Sequence, residues 1–269
     1  MMKLFFTDLD GTLLNSDCKI SEGTKAALDK WVAAGNKLIL NSGRPLDSIL
    51  EVKRLGGLNY PGMLIVANNG SLIYDCDTST VLHSFGIPFE HVKHIMDVAR
   101  KRGVHCQTYT STHIVCEKLN EHLTFYINRI YLPYILTDDV VSKLPAQPQK
   151  LLAIDVNDHQ NLEDLRQELL PWAKGKVEML YSCNELMEFI HYESGKGNAI
   201  RTICKMFNVP ISDSLAAGDM NNDLSMIEAA GVGIAMKNAT PLLKEMADIV
   251  TDEDNDHDGL VGVLERFME

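Results

Sequence analysis

The sequence is short of several things, and each shortage removes a class of function. It has no run of about 18 apolar residues, so no membrane-spanning helix is expected. The opening "MMKLFFTDLDG" reaches acidic residues too soon for a signal peptide. Basic residues are in deficit, with 25 Lys and Arg against 37 Asp and Glu. The resulting net charge of −12 argues against non-specific nucleic-acid binding. A phosphorylated substrate would need local help from a metal or a few basic groups. The six cysteines (Cys18, Cys76, Cys106, Cys116, Cys183 and Cys204) are scattered, without metal-type pairs. Reduced thiols in a cytoplasmic protein are the expectation. No internal repeat or low-complexity tract is present.

What remains is a chain of 269 residues, 45% hydrophobic and 23% charged, with material for a sizeable core. Its length predicts one large domain and a smaller insert. Apolar runs at 3–8, 36–42, 62–68, 214–219, 231–236 and 248–251 read as buried strands of a parallel sheet. Helical segments separate many of them. The segment from Ser21 to Gly35 has an N-cap serine and a terminal glycine. Residues 195–208 and 221–231 read as further helices, and Thr240-Pro241 starts another. This alternation predicts an α/β fold. The middle breaks the rhythm with a hairpin at 71–85, a helix at 89–103, a β-rich stretch at 105–117 and strands near 151–156, 177–182 and 186–192. Residues 83–192 are therefore expected to form an inserted α+β domain, with 1–82 and 193–269 forming the core.

Three of the expected core strands end in a polar residue with chemical potential: Asp8, Ser42 and Asp219. All carboxyl ends of a parallel sheet lie on one edge, where ligands bind, so these distant residues would meet there. Asp8, Asp10, Asp219 and Asp223 are hard oxygen donors of the kind Mg²⁺ takes, and a metal would screen the repulsion between Asp8 and Asp10. Gly11 allows close backbone approach, and Thr12 can hydrogen-bond locally. Ser42 and Gly43 offer a hydroxyl and backbone N–H groups to a phosphate. Lys196 sits between Gly195 and Gly197 at a helix start, another phosphate-favouring place. Strand alternation predicts Asp8 and Asp10 on one side, with Leu9 turned away. Each signal alone has a bland reading: a polar turn for D-x-D-G or Ser42-Gly43, a solvated lysine for Lys196, a capped loop for "GDMNND". Their order and placement at strand ends and helix starts lift them as a set.

The four stretches "DLDGTLL", "NSGRP", "SGKG" and "GDMNND" resemble the motifs of the haloacid dehalogenase superfamily. The continuation "GVGIAMKNATPLLKEMADIVTDEDNDHDGLVGVLE" resembles its Cof-type subfamily, with Lys237 where that subfamily often carries glycine. The resemblance implies a Rossmann-like core with an inserted α+β cap of the C2B type. It implies a Mg²⁺-dependent phosphatase for small soluble phosphomonoesters, sugar phosphates by preference, acting through an aspartyl-phosphate. Asp8 matches the nucleophile and Asp10 the general acid/base. Asp8, the main-chain carbonyl of Asp10, and Asp219 match metal ligands. The amides of Leu9 and Gly43, with Ser42, Lys196 and Asn222, match phosphate contacts, and Asp223 supports the metal shell. P-type ATPases, similar at the nucleophile, carry threonine where Asp10 stands, so Asp10 favours turnover over a stored intermediate. His113, Tyr126, Arg129, Tyr131 and Glu185 are candidate substrate contacts in the insert.

Two alternatives accompany this reading. One is a phosphotransferase or mutase using the same intermediate. The other is a regulatory or calcium-binding protein, because residues 254–265 spell D-x-D-x-D-G with a final Glu265, the pattern of an EF-hand loop. No helix is expected directly before that loop, so a surface loop capping the last helix is the preferred reading.

Overall fold

The computed structural model describes residues 2–130 and 132–268, apart from the side chain of Arg129. Tyr131 and the Arg129 side chain, two of the insert contacts considered above, lie outside the described residues. The chain divides into two compact units. One runs through Ser84 and resumes at Gly195; the other spans Phe85 to Ser194. No described helix is long and apolar enough to cross a membrane.

The first unit begins with β1 (Leu4–Thr7), α1 (Glu22–Ala33), β2 (Lys37–Asn41), α2 (Leu46–Leu55), β3 (Leu64–Ala67), β4 (Leu72–Asp75) and β5 (Thr80–Ser84). The second contains α3 (Phe89–Arg102), β6 (His105–Tyr109), β7 (Ile114–Cys116), α4 (Glu121–Ile130), β8 (Tyr134–Leu136), β9 (Lys150–Ile154), α5 (His159–Ala173), β10 (Val177–Cys183) and β11 (Leu186–His191). The first then resumes with α6 (Lys196–Phe207), β12 (Ser214–Gly218), α7 (Leu224–Ala229), β13 (Val232–Ala235), α8 (Pro241–Met246), β14 (Ile249–Val250) and α9 (Gly259–Met268).

The sheet of the first unit has the order β14-β13-β12-β1-β2-β3-β4-β5. It is parallel from β14 to β3 and antiparallel through the β4–β5 hairpin. Every residue of β1 is buried, as expected for a strand covered on both faces. The helices explain the covering. Ser21 caps α1 by accepting from Thr24 N–H, and Ala27, Leu28 and Trp31 turn inward. Trp31 meets Phe5 edge-on at 6.0 Å, and its indole N–H donates to the Lys37 carbonyl. Burying each such ring stabilises the fold by roughly 1.5–3 kcal/mol. The α/β class read from alternating strands and helices is the one observed.

The second unit has a six-stranded sheet of order β10-β11-β9-β6-β7-β8, antiparallel except where β8 joins β7. Helices α3 and α5 contribute Ile95, Ala99, Leu162 and Leu165 to one core with Leu151, Ala153 and Phe189. Leu123 and Tyr126 of α4 pack with Ile114, Cys116, Leu152 and Ile154 in a second cluster. Tyr126 is thus part of this unit's core. His113 closes the β6–β7 turn by accepting at its carbonyl from Thr110 N–H. Glu185 lies in the β10–β11 turn, its carbonyl accepting from Asp155 N–H.

Candidate active site

Strand β1 lies between β12 and β2, where the order of the sheet reverses. Such a reversal opens a crevice at the carboxyl ends of the two central strands. Asp8 is the first residue beyond β1 and Asp219 the first beyond β12. Asp8 N–H donates to the Ala217 carbonyl at 3.0 Å, which holds the two ends together. The short 3₁₀ turn Asn221–Asp223 then brings Asp223 back beneath Asp219. Its Oδ2 accepts from the N–H groups of Asp219 (3.0 Å) and Met220 (3.2 Å). Carboxylate oxygens of Asp8, Asp219 and Asp223 lie within 4.8 Å of one another, and all three residues are buried.

Lys196 opens α6 after Gly195, whose φ of 115° favours glycine. Its ammonium is buried between Asp8 Oδ1 at 2.6 Å and Asp223 Oδ1 at 2.5 Å. Thr12 Oγ1 donates to Asp219 Oδ1 at 3.2 Å. Gly11 turns the chain at φ 70°, and a Cβ there would come within 2.3 Å of Asp219 Oδ2. The turn and the close approach both require glycine.

Three carboxylates are buried together, and the one buried ammonium beside them pairs with two. Burial pushes Asp8 up to about 7; Lys196 opposes this, and the charges of Asp223 and Asp10 add to it. Burial, reinforced by Asp8 and Asp223, pushes Asp219 up to about 7 as well. Burial also works against the Lys196 ammonium, yet Asp223 and Asp8 outweigh it and hold the lysine charged. Hard oxygen donors with more negative charge than the protein neutralises fit a small divalent cation. Asp8 and Asp219 are the suited ligands, since both oxygens of Asp223 are already hydrogen-bonded.

Asp10 is placed differently from the expectation. The paired strand ends at Thr7, and beyond it Asp10 makes only an isolated bridge with Leu14. Leu9 enters the apolar core, and the chain then turns at Gly11. The Asp10 side chain is 55% exposed and stands outside the acidic cluster. Its two oxygens accept from Arg44 Nε at 2.7 Å and Nη2 at 2.5 Å. Ser42 follows β2 directly, is buried, and accepts at Oγ from Arg44 N–H at 3.2 Å. Gly43 faces the Asn69 amide, which a Cβ would crowd at 3.0 Å. Thr12 is buried beside Asp219, and Asn222 is half-buried in the turn that carries Asp223.

Nothing in the sequence pattern marks Arg44 as the partner of Asp10, nor marks Asn238. The Asn238 amide donates to the Gly11 carbonyl at 2.8 Å. The neighbouring Lys237 pairs with exposed Glu253 at 2.9 Å.

The calcium-like stretch is a set of clasps. Asp256 accepts from Ser16 N–H and Oγ–H at 2.7 and 2.6 Å. Asp258 accepts from Ser21 Oγ–H and, at 3.0 Å, from Thr24 N–H. Asp254 pairs with His257 Nδ1 at 2.6 Å. Glu265 sits within α9 and faces Lys30 at 3.4 Å. Strand β14, not a helix, precedes the loop, so the helix–loop–helix frame is missing. The loop caps the last helix as expected, the Asp254 carbonyl accepting from Gly259 N–H and the Asp258 carbonyl from Val261 N–H, both at 2.9 Å, and the Asp258 side chain also helps cap the first.

The model of the haloacid dehalogenase-like hydrolases matches residues 5–264. The 5-amino-6-(5-phospho-D-ribitylamino)uracil phosphatase YwtE of Bacillus subtilis (strain 168) is 29% identical over 292 residues, covering 99% of this chain and 98% of that one. The X-ray structure of TM0651 from Thermotoga maritima is 31% identical with a TM-score of 0.82, covering 99% of this chain and 97% of that one. A haloacid dehalogenase-like hydrolase from Bacteroides thetaiotaomicron is 29% identical with a TM-score of 0.84, covering 99% of both chains. Fold, crevice and sequence match together place the chain: it belongs to the haloacid dehalogenase-like hydrolases.

Proposed function

We propose that this phosphoric monoester hydrolase cleaves small phosphorylated metabolites, sugar and polyol phosphates above all, with Asp8 as nucleophile and Mg²⁺ as cofactor. One observation carries the reading. Asp8 Oδ1 is anchored by Lys196, while Oδ2 accepts no hydrogen bond among the described residues. A buried carboxylate held at one oxygen and open at the other is prepared to attack. Asp8 Oδ2 bonds to phosphorus as the ester P–O bond breaks, and Asp10 gives the leaving alkoxide its proton. Asp10 then takes a proton from water, which attacks phosphorus and releases Asp8. Lys196, Ser42, the amides of Leu9 and Gly43, and Asn222 bind the phosphoryl oxygens in this reading. A bound Mg²⁺, held by Asp8, the Asp10 carbonyl and Asp219, supplies the positive charge that lets a carboxylate approach a phosphate dianion. The unit from Phe85 to Ser194 takes the role of the cap. The phosphoribityl ester in the name of the Bacillus relative supports a polyol or sugar phosphate as substrate class.

A panel of metabolite phosphates is the direct test. Phosphate release with Mg²⁺, lost on adding chelator, is the expected result; an inert protein across the panel removes the reading. Transfer to a second sugar without net release would make it a mutase.

Stability offers an independent check on the metal. The raised Asp8 and Asp219 favour the folded state while protonated, so their contribution is full below about pH 4 and is lost as pH rises through about 7. Without metal, Asp219→Asn is therefore expected to melt higher than the wild type at pH 8, with the gap closing toward pH 4. Mg²⁺ should raise the wild-type melting midpoint at pH 8 and leave Asp219→Asn unmoved. Equal Mg²⁺ shifts in both proteins would place the ion elsewhere.

A further inference from the structure

We infer that Arg44 is the positioning residue for Asp10, holding the acid/base carboxylate in one orientation beside the phosphate loop; the inference rests on the phosphatase reading above. Arg44 is pinned at both backbone groups. Its N–H donates to Ser42 Oγ at 3.2 Å and its carbonyl accepts from Asn68 N–H at 3.0 Å. From there the side chain crosses to the loop after β1, and Nη1 reaches Ser48 Oγ at 3.3 Å. The remaining donors, Nε and Nη2, engage both oxygens of Asp10. One nitrogen would fix only a distance, whereas this fork also fixes the plane of the carboxylate.

A purely structural role is a poor account of this pair. The Arg44 side chain is 27% exposed and that of Asp10 55%, and pairs so open to solvent add little to stability. Both ends are instead tied to the chemistry, Asp10 two residues beyond Asp8 and Arg44 two residues beyond Ser42. Charge points the same way. Asp8, Asp10, Asp219 and Asp223 face Lys196 and Arg44, so a divalent cation brings the six groups to neutrality. Arg44 thus balances Asp10 in the ionised form that must take a proton from water in the second step.

The test separates Arg44's action through Asp10 from a general weakening of the site. Two esters are compared by kcat/KM, which reads the first phosphoryl transfer. One is an alkyl phosphate, whose leaving alkoxide needs a proton; the other is p-nitrophenyl phosphate, whose leaving group does not. Arg44→Lys keeps the charge but loses the fork. It is expected to cost about 10²-fold on the alkyl ester and little on the aryl ester. Asp10→Asn should give the same pattern more deeply, and the double variant should be no worse than Asp10→Asn alone. The melting midpoint of Arg44→Lys should match the wild type. Equal losses on both esters, or losses that multiply in the double variant, would overturn the inference while leaving the phosphatase reading intact. A wild type inert on both esters would overturn that reading, and the inference with it.

Discussion

Asp8→Asn is expected to lower kcat by at least about 10⁴-fold while leaving a folded protein. The substitution keeps the volume and an oxygen for Lys196 but removes the electron pair that would attack phosphorus. It also takes one negative charge from a site that holds too many. The metal-free variant should therefore melt no lower than the wild type at pH 8, which separates lost chemistry from lost fold. Borohydride added to the acid-quenched wild type during turnover should reduce the acyl-phosphate and convert residue 8 to homoserine. Turnover within about tenfold of wild type in Asp8→Asn would remove it as nucleophile.

Lys196→Met is the second large effect, and it strikes stability as well as rate. The Lys196 side chain is fully buried and its ammonium forms ion pairs with two buried carboxylates. Methionine nearly fills its volume but leaves Asp8 and Asp223 without a counter-charge. Breaking a buried pair from one side costs about 3–5 kcal/mol. The loss should be greatest near pH 8 and shrink toward pH 5, because protonating Asp8, already pushed up to about 7, then removes a charge the missing cation would have balanced. Denaturant unfolding of metal-free protein at the two pH values measures this. A pH-independent loss would mean that packing around Lys196, rather than its charge, matters. Turnover should fall about 10³-fold or more, since Lys196 also orients the Asp8 carboxylate.

Much of this was legible before the structure. The strands of the core are continuous apolar runs, and a sheet covered on both faces demands them, so Asp8, Ser42 and Asp219 could be placed at strand ends from the sequence. Lys196 was legible by its place at a helix start between two glycines. The direction of Asp10 was not. It depends on where the strand pairing stops and on Arg44, whose reach across two loops leaves no periodic trace. Helix α4 was also overlooked, though Asn120 accepts from Leu123 N–H and Leu123 and Tyr126 follow at helical spacing. Its single buried stripe is short, and the β-branched and aromatic residues around it resemble a strand. The acidic loop shows why context outweighs pattern: it spells a full calcium motif, the strand before it argues against that reading, and its carboxylates are clasps for Ser16, Ser21 and Thr24.

The pairing of β1 with β12 also sets the order of events on the ribosome. Phe5 leaves early in synthesis but pairs with Leu215, so one edge of the central strand stays open while the intervening chain is made. That edge is apolar and exposed to other nascent chains until α6 and β12 emerge. The segment from Phe85 to Ser194 has hydrophobic clusters of its own and can bury them meanwhile. Slowing translation after Ser194 would therefore prolong the vulnerable interval, and chaperone dependence should rise with it. Asp8 and Asp219 come together only at that last step, so a stalled or truncated chain lacks the assembled acidic cluster.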